Sequence, residues 1–147
     1  MISLMLEKTG IPFIVFDQSI KRVRFGRENN HNIFFGHADD IKFLESLHIT
    51  GALLVVVTVG EEKISRKIVS VIKTNYPSVK VVVRAKDIDD ADAIISMGAN
   101  WAVPEVAEGS IFFGKGVLRE MGVSEDSIKI LTEELRAGDY QILRGKN

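Results

Sequence analysis

The residue of this chain best placed to bind a ligand is Asp17, the acid that closes the apolar run at residues 11–17 (IPFIVFD). A carboxylate at the C-terminal tip of a buried parallel strand is an acceptor for hydroxyl donors. In dinucleotide-binding sheets the acid that ends the second strand takes the ribose hydroxyls. Asp is also a preferred N-cap, because its carboxylate accepts the unpaired amides of a first helical turn, and a helix is expected over residues 18–28. Both roles stay open on the sequence. In such sheets a glycine-rich phosphate loop lies about 20 residues before the acid. Counting back from Asp17 places that loop before Met1, and the sequence itself contains no GxGxxG. The expectation is a nucleotide-binding fold that lacks its phosphate-gripping first unit.

Three further groups have chemistry worth placing. His37 with Asp39 and Asp40 offers an imidazole and two carboxylates within four residues, a possible start on a metal site. Paired acids at a helix start are also common caps that complement the helix dipole, and His31 and His48 have no ligand-like spacing, so the capping or nucleotide-edge reading is preferred. Thr58-Val59-Gly60 follows the most β-branched stretch and ends it. In open α/β sheets ligands lie beyond the carboxyl ends of the strands, which makes this turn either a ligand wall or a plain strand-to-helix turn. Arg84 ends the following strand; it could meet an anionic ligand or an inter-domain carboxylate such as Glu105, or equally lie over the sheet edge and pair with a helix acid. No catalytic set is present: there is no cysteine, no GxSxG, no HExxH and no P-loop.

The elements that must position these residues alternate. A short helix at residues 2–8 is closed by Thr9-Gly10. Strands are expected over residues 12–16, 32–35, 52–58, 79–84 and 101–103. The run at 52–58 (ALLVVVT) is the strongest strand, with a central place in the sheet. Helices are expected over residues 19–28, over 39–47 with Asp39 as cap, over the stripe of Ile64, Ile68, Val71 and Ile72, and over 87–97 before Gly98. Two more run from Pro104 to about Met121 and over residues 124–136, the latter followed by a Gly138-containing tail. In the first of these, Val106, Ala107, Ile111, Val117, Leu118 and Met121 project to one side, with Phe112 among the polar residues opposite. Strands alternating with helices mean an α/β fold with a parallel sheet and helices on both faces.

Composition narrows the function class. The chain has 147 residues, 46% hydrophobic, with 19 basic and 20 acidic side chains and a net charge of −1. That balance gives no drive toward nucleic acid or anionic lipid. Zero cysteines exclude a disulfide framework and thiolate chemistry. The first ten residues lack the basic leader and cleavage site of a signal peptide. The longest strongly apolar run, residues 52–57, is far short of the roughly 20 residues that cross a bilayer, so a soluble chain is expected.

The order of the stretches IPFIVFD (11–17), NIFFGHADD (32–40), ALLVVVTVG (52–60), VKVVVRAKD (79–87) and GANWAVPE (98–105) resembles the RCK-type nucleotide-binding regulatory domains of potassium channels and cation transporters. The nearest likeness is to the cytosolic domain of Kef-type potassium-efflux cation:proton antiporters. The likeness covers most of residues 2–121. It implies a Rossmann-like α/β domain over residues 1–121, without the first strand and glycine-rich loop, and a C-terminal helix and tail at 122–147 available for dimer contact. It further implies a cytoplasmic, non-enzymatic regulatory domain with NAD(H) or AMP/ATP as cofactor. Asp17, Gln18, Gly36, His37, Ala38, Thr58, Val59, Gly60 and Arg84 would form its nucleotide-binding set. Implied partners are a second copy through the helix after Pro104 and a membrane transport domain in the parent protein, with no nucleic acid. Relatives usually carry glycine-aspartate where this chain has Gly36-His37, which alters a contact near the adenine-ribose end. The alternative is an interaction module that dimerises without binding nucleotide.

Overall fold

The structure is a computed structural model that describes residues 1–140. By contact density the chain divides into two compact units, Met1–Ile49 and Thr50–Asn147. The first unit contains α1 (Ile2–Thr9), β1 (Val15–Asp17), α2 (Ile20–Glu28), β2 (Ile33–Phe35) and α3 (Ile41–Ser46). The second contains β3 (Val55–Val57), α4 (Glu62–Asn75), β4 (Val81–Ala85), α5 (Ile88–Ser96), β5 (Trp101–Pro104), α6 (Glu105–Glu120) and α7 (Glu125–Tyr140).

All strand pairing is parallel, as the alternation of elements requires. In the first unit β1 runs beside β2, with Val15 opposite Ile33 and Asp17 opposite Phe35. In the second unit the order is β3-β4-β5, with Val57 opposite Val83 and Ala85 opposite Pro104. The expected common sheet is therefore resolved into two separate hydrogen-bonded sheets.

The second unit has the stronger core. Ile68, Val69 and Ile72 on α4, Val81, Val83 and Ala85 on β4, Ile94 on α5 and Ile128 on α7 are all at most 2% exposed. Each of the Val and Ile side chains among them contributes about 1.5–3 kcal/mol by leaving water. The place of β4 corrects the reading of residues 52–58 as the central strand. The ladder in β3 is only three residues long and lies at one end of its sheet, with Val56 exposed. β-branched composition reports burial on a pleated surface, but not which strand lies alongside.

The first unit is more open. Its buried apolar side chains are Val23, Leu44 and Ile49, whereas α1 buries none and Phe34 and Phe35 of β2 are exposed. Two close approaches hold it together. A Cβ on Gly26 would lie 2.6 Å from the Ile33 side chain, and one on Gly36 would meet the Phe43 ring at 2.1 Å. The Phe43 ring also packs edge-on against Phe16, with centroids 5.0 Å apart.

The expected helix boundaries hold to within one or two residues except at the last helix, whereas two strands are shorter than expected: residues 12–16 give Val15–Asp17 and residues 52–58 give only Val55–Val57. Asp40, not Asp39, caps α3 by accepting from the Lys42 amide at 2.8 Å. The last helix continues past residue 136 to Tyr140, so Gly138 lies within it; residues 141–147 of the expected tail fall outside the described residues. Among the described residues no helix is long and apolar enough to cross a membrane.

Candidate functional site

In the first unit the chemistry gathers at the C-terminal tip of β1. Asp17 has side-chain exposure of 24%, enough to meet a ligand and little enough to be held. Its Oδ1 accepts from the Ser19 amide at 2.7 Å and its Oδ2 from Arg22 Nε at 2.7 Å. The Arg22 guanidinium, helped by the Ser19 amide and opposed by partial burial, holds the Asp17 carboxyl below the usual carboxylate range. Capping of α2 falls to Ser19, whose hydroxyl accepts from the Arg22 amide. Asp17 thus supports the turn before the helix without being its cap. A carboxylate has about four acceptor directions, so one remains on each oxygen for a ligand's hydroxyls.

The neighbouring candidates are arranged around this tip in different ways. Gln18 donates to Asp39 Oδ1 at 3.1 Å. The Gly36 amide donates to the Asp17 carbonyl at 3.2 Å, and Gly36 is buried under Phe43. His37 is exposed, with its ring edge-on to Phe35 at 5.2 Å, and Ala38 is half-buried. Asp39 and Asp40 each have a partner within this turn, Gln18 and the Lys42 amide. Among the described residues no group of His, Asp and Glu is arranged to hold a metal.

In the second unit Thr58, Val59, Gly60 and Arg84 come together. Arg84 Nη2 donates to the Thr58 carbonyl at 2.8 Å and lies 3.6 Å from where a Gly60 Cβ would stand. Its Nη1 meets Glu105 Oε1 at 3.2 Å. The alternative of an Arg84–Glu105 pair is thus realised, with the guanidinium still exposed at the strand ends. Val59, Gly60 and Arg84 line a shallow cavity of about 120 Å³. Its wall carries residues that sequence reasoning did not single out. Asp90 accepts from Arg66 at 2.6–2.8 Å and from the Lys86 amide at 3.0 Å, and Lys86 Nζ meets Glu62 at 2.9 Å. The buried Ser65 hydroxyl on the same wall has no hydrogen-bond partner among the described residues. Arg66 and Asp90 stand 24 residues apart on different helices, and no local spacing pairs them.

On α6, Ala107 and Ile111 are buried. Phe112, Phe113, Val117 and Met121 form an exposed apolar surface and line a shallow depression. This corrects the single-sided projection, because Val106, Val117 and Met121 are exposed and Phe113 joins Phe112. Part of the expected polar side is covered instead. Glu108 accepts both Arg136 Nε and Nη2 at 2.6–2.7 Å and the Tyr140 hydroxyl at 2.8 Å, which clamps α7 onto α6.

Comparison with known proteins agrees with this architecture. Residues 1–105 match the TrkA-N domain, and the chain belongs to that family. It is 21% identical over 139 residues to the glutathione-regulated potassium-efflux system protein KefC of Cronobacter sakazakii, covering 95% of this chain and 22% of that protein. It is 29% identical over 135 residues to the chloroplastic K(+) efflux antiporter 1 of Arabidopsis thaliana, covering 92% of this chain and 11% of that one. The chain therefore spans about a fifth or less of these relatives. The fold is that of the Shewanella denitrificans Kef CTD in its AMP-bound form, at a TM-score of 0.81 and 21% identity over 97% of this chain and 86% of that one. The GsuK channel bound to NAD aligns at a TM-score of 0.68 and 21% identity, over 77% of this chain and 20% of that one.

Proposed function

We propose that this TrkA-N chain is the ligand-sensing regulatory domain of a potassium or cation transporter, and that its ligand is an adenine nucleotide or dinucleotide. The observation that carries the reading is the ionised, partly exposed Asp17 at the carboxyl end of β1, with an acceptor direction left on each oxygen. The fit is to the ribose end of the ligand: Asp17 takes the hydroxyls and Gln18 borders them. Gly36, His37 and Ala38 form the turn beside them, and Thr58, Val59, Gly60 and Arg84 are a separate set of candidate ligand contacts within the second unit. AMP, ATP and NAD(H) all carry the adenosine ribose that this end of the site fits. The relatives with potassium-efflux names and the neighbours solved with AMP and NAD support the choice of ligand and setting. Binding regulates only if the ligand prefers one packing of the domain over another; the domain does no chemistry on the ligand.

The test is thermal unfolding with and without millimolar AMP, ATP, NAD and NADH. A ligand at 100 times its dissociation constant adds about 2.7 kcal/mol, and Asp17→Asn should remove that gain. A melting temperature unmoved by all four ligands refutes nucleotide sensing. A second reading, a dimerisation module that binds no nucleotide, is favoured by the exposed Phe112, Phe113, Val117 and Met121 surface on α6. Dimerisation without any nucleotide shift would select it.

A further inference from the structure

The ribose reading leaves Arg22 without a role, yet its geometry gives it one. We infer that Arg22 is a positioning residue: it pins the Asp17 carboxylate so that the pair reads the cis-diol of a ribonucleotide. The inference rests on the proposed ribose role of Asp17.

Arg22 lies on the first turn of α2, and its Nε donates to Asp17 Oδ2 at 2.7 Å. The Ser19 amide holds the other oxygen at 2.7 Å. A carboxylate held on both oxygens has lost its rotation about χ2. Its two remaining acceptor directions then have a fixed separation, which suits two adjacent hydroxyls better than one. The helix start is organised without the ion pair, since the Ser19 hydroxyl caps it. Arg22 is 70% exposed, so its contact with Asp17 is not a by-product of core packing. Asp17 is an anionic acceptor, which makes hydrogen bonds roughly twice as strong as a neutral one, and Arg22 fixes its direction. The pair is thus built to favour hydroxyl donors over a deoxyribose that offers only one.

Calorimetric titration of the full chain with AMP and with 2′-deoxy-AMP tests this. The parent should bind AMP about tenfold or more tightly than 2′-deoxy-AMP, the value of one charge-assisted hydrogen bond. Arg22→Ala should reduce that ratio to near one, and Arg22→Lys, which keeps the charge but not the fork, should restore part of it. Lys21→Ala removes a charge from the same turn and should leave the ratio unchanged. Carbon NMR titration of the Asp17 carboxyl gives an independent reading, which should rise in Arg22→Ala toward the ordinary value of 3.8. If AMP binds and discrimination survives Arg22→Ala, or if that variant binds AMP more tightly, the positioning role is overturned while the ribose site stands. If neither nucleotide binds the parent, the ribose role falls and this inference with it.

Discussion

Replacing Asp90 by alanine tests whether the second unit depends on a buried charge network. The Asp90 side chain is 4% exposed. Its Oδ1 receives Arg66 Nε at 2.8 Å and Nη2 at 2.6 Å, and its Oδ2 receives the Lys86 amide at 3.0 Å. Loss of the charged hydrogen bonds costs about 1.5–3 kcal/mol, and an orphaned amide costs about 1–3 kcal/mol more. The sum is about 2.5–6 kcal/mol, and the lower half of that range is expected because the Arg66 side chain is 39% exposed and water screens the pair. Urea unfolding followed by Trp101, the sole tryptophan, reports on this unit because Trp101 lies on β5. With a slope of about 1.5 kcal/mol/M, a loss of about 4 kcal/mol lowers the midpoint by roughly 2.5 M. Arg66→Met alone should also destabilise, by leaving the carboxylate without its guanidinium. The Arg66→Met/Asp90→Ala pair should cost less than the two changes added. A midpoint shift under about 0.5 M for Asp90→Ala, or strict additivity of the pair, would refute the reasoning.

Other predictions concern the clamp, the turn and the apolar surface. Arg136 first, and Tyr140 after it, lowers the Glu108 pKa from its ordinary 4.5. A depressed carboxyl gives stability that is present above its unfolded value and lost as pH falls through the lower folded value. Glu108→Gln should therefore lower the urea midpoint at pH 7 and the difference should shrink toward pH 3; a constant difference contradicts the clamp. Gly36→Ala must displace the Phe43 ring, which a new Cβ would meet at 2.1 Å, and overpacking of this kind costs about 1–3 kcal/mol. Hydrogen exchange in the first unit should accelerate, and unchanged protection would show that the ring moves freely. If the chain dimerises through α6, Phe112→Asp, at a side chain 79% exposed, should leave the fold intact and lower the sedimentation coefficient to that of a monomer. An unaltered sedimentation coefficient removes α6 from the interface.

The placement of elements was legible because it depends on neighbours in sequence. Gly10 and Gly98 both adopt positive φ where helices stop, at 70° and 97°, as glycine after a periodic apolar stretch predicts. Asp87 caps α5 as its position before the acidic first turn suggests. Arg84 could be matched to Glu105 because each ends or follows a strand whose order was readable. The Asp40 cap and the Arg22 contact were one residue or one helical turn from what was inferred. Choosing between adjacent Asp residues as the cap, or finding Arg22 beside Asp17, depends on side-chain directions that spacing does not set.

What the sequence determined is therefore the α/β alternation, the parallel sense of pairing and the position of Asp17 at a strand tip. These follow from periodicity, from caps and from the short reach of one element to the next. The tertiary structure decided that β4 lies at the middle of its sheet, that Asp90 is buried against Arg66, and that Glu108 faces α7 while Phe112 and Phe113 face outward. Those outcomes depend on which elements meet after the chain has turned back on itself, and contact energy between residues 24 or 28 positions apart leaves no periodic trace in the sequence.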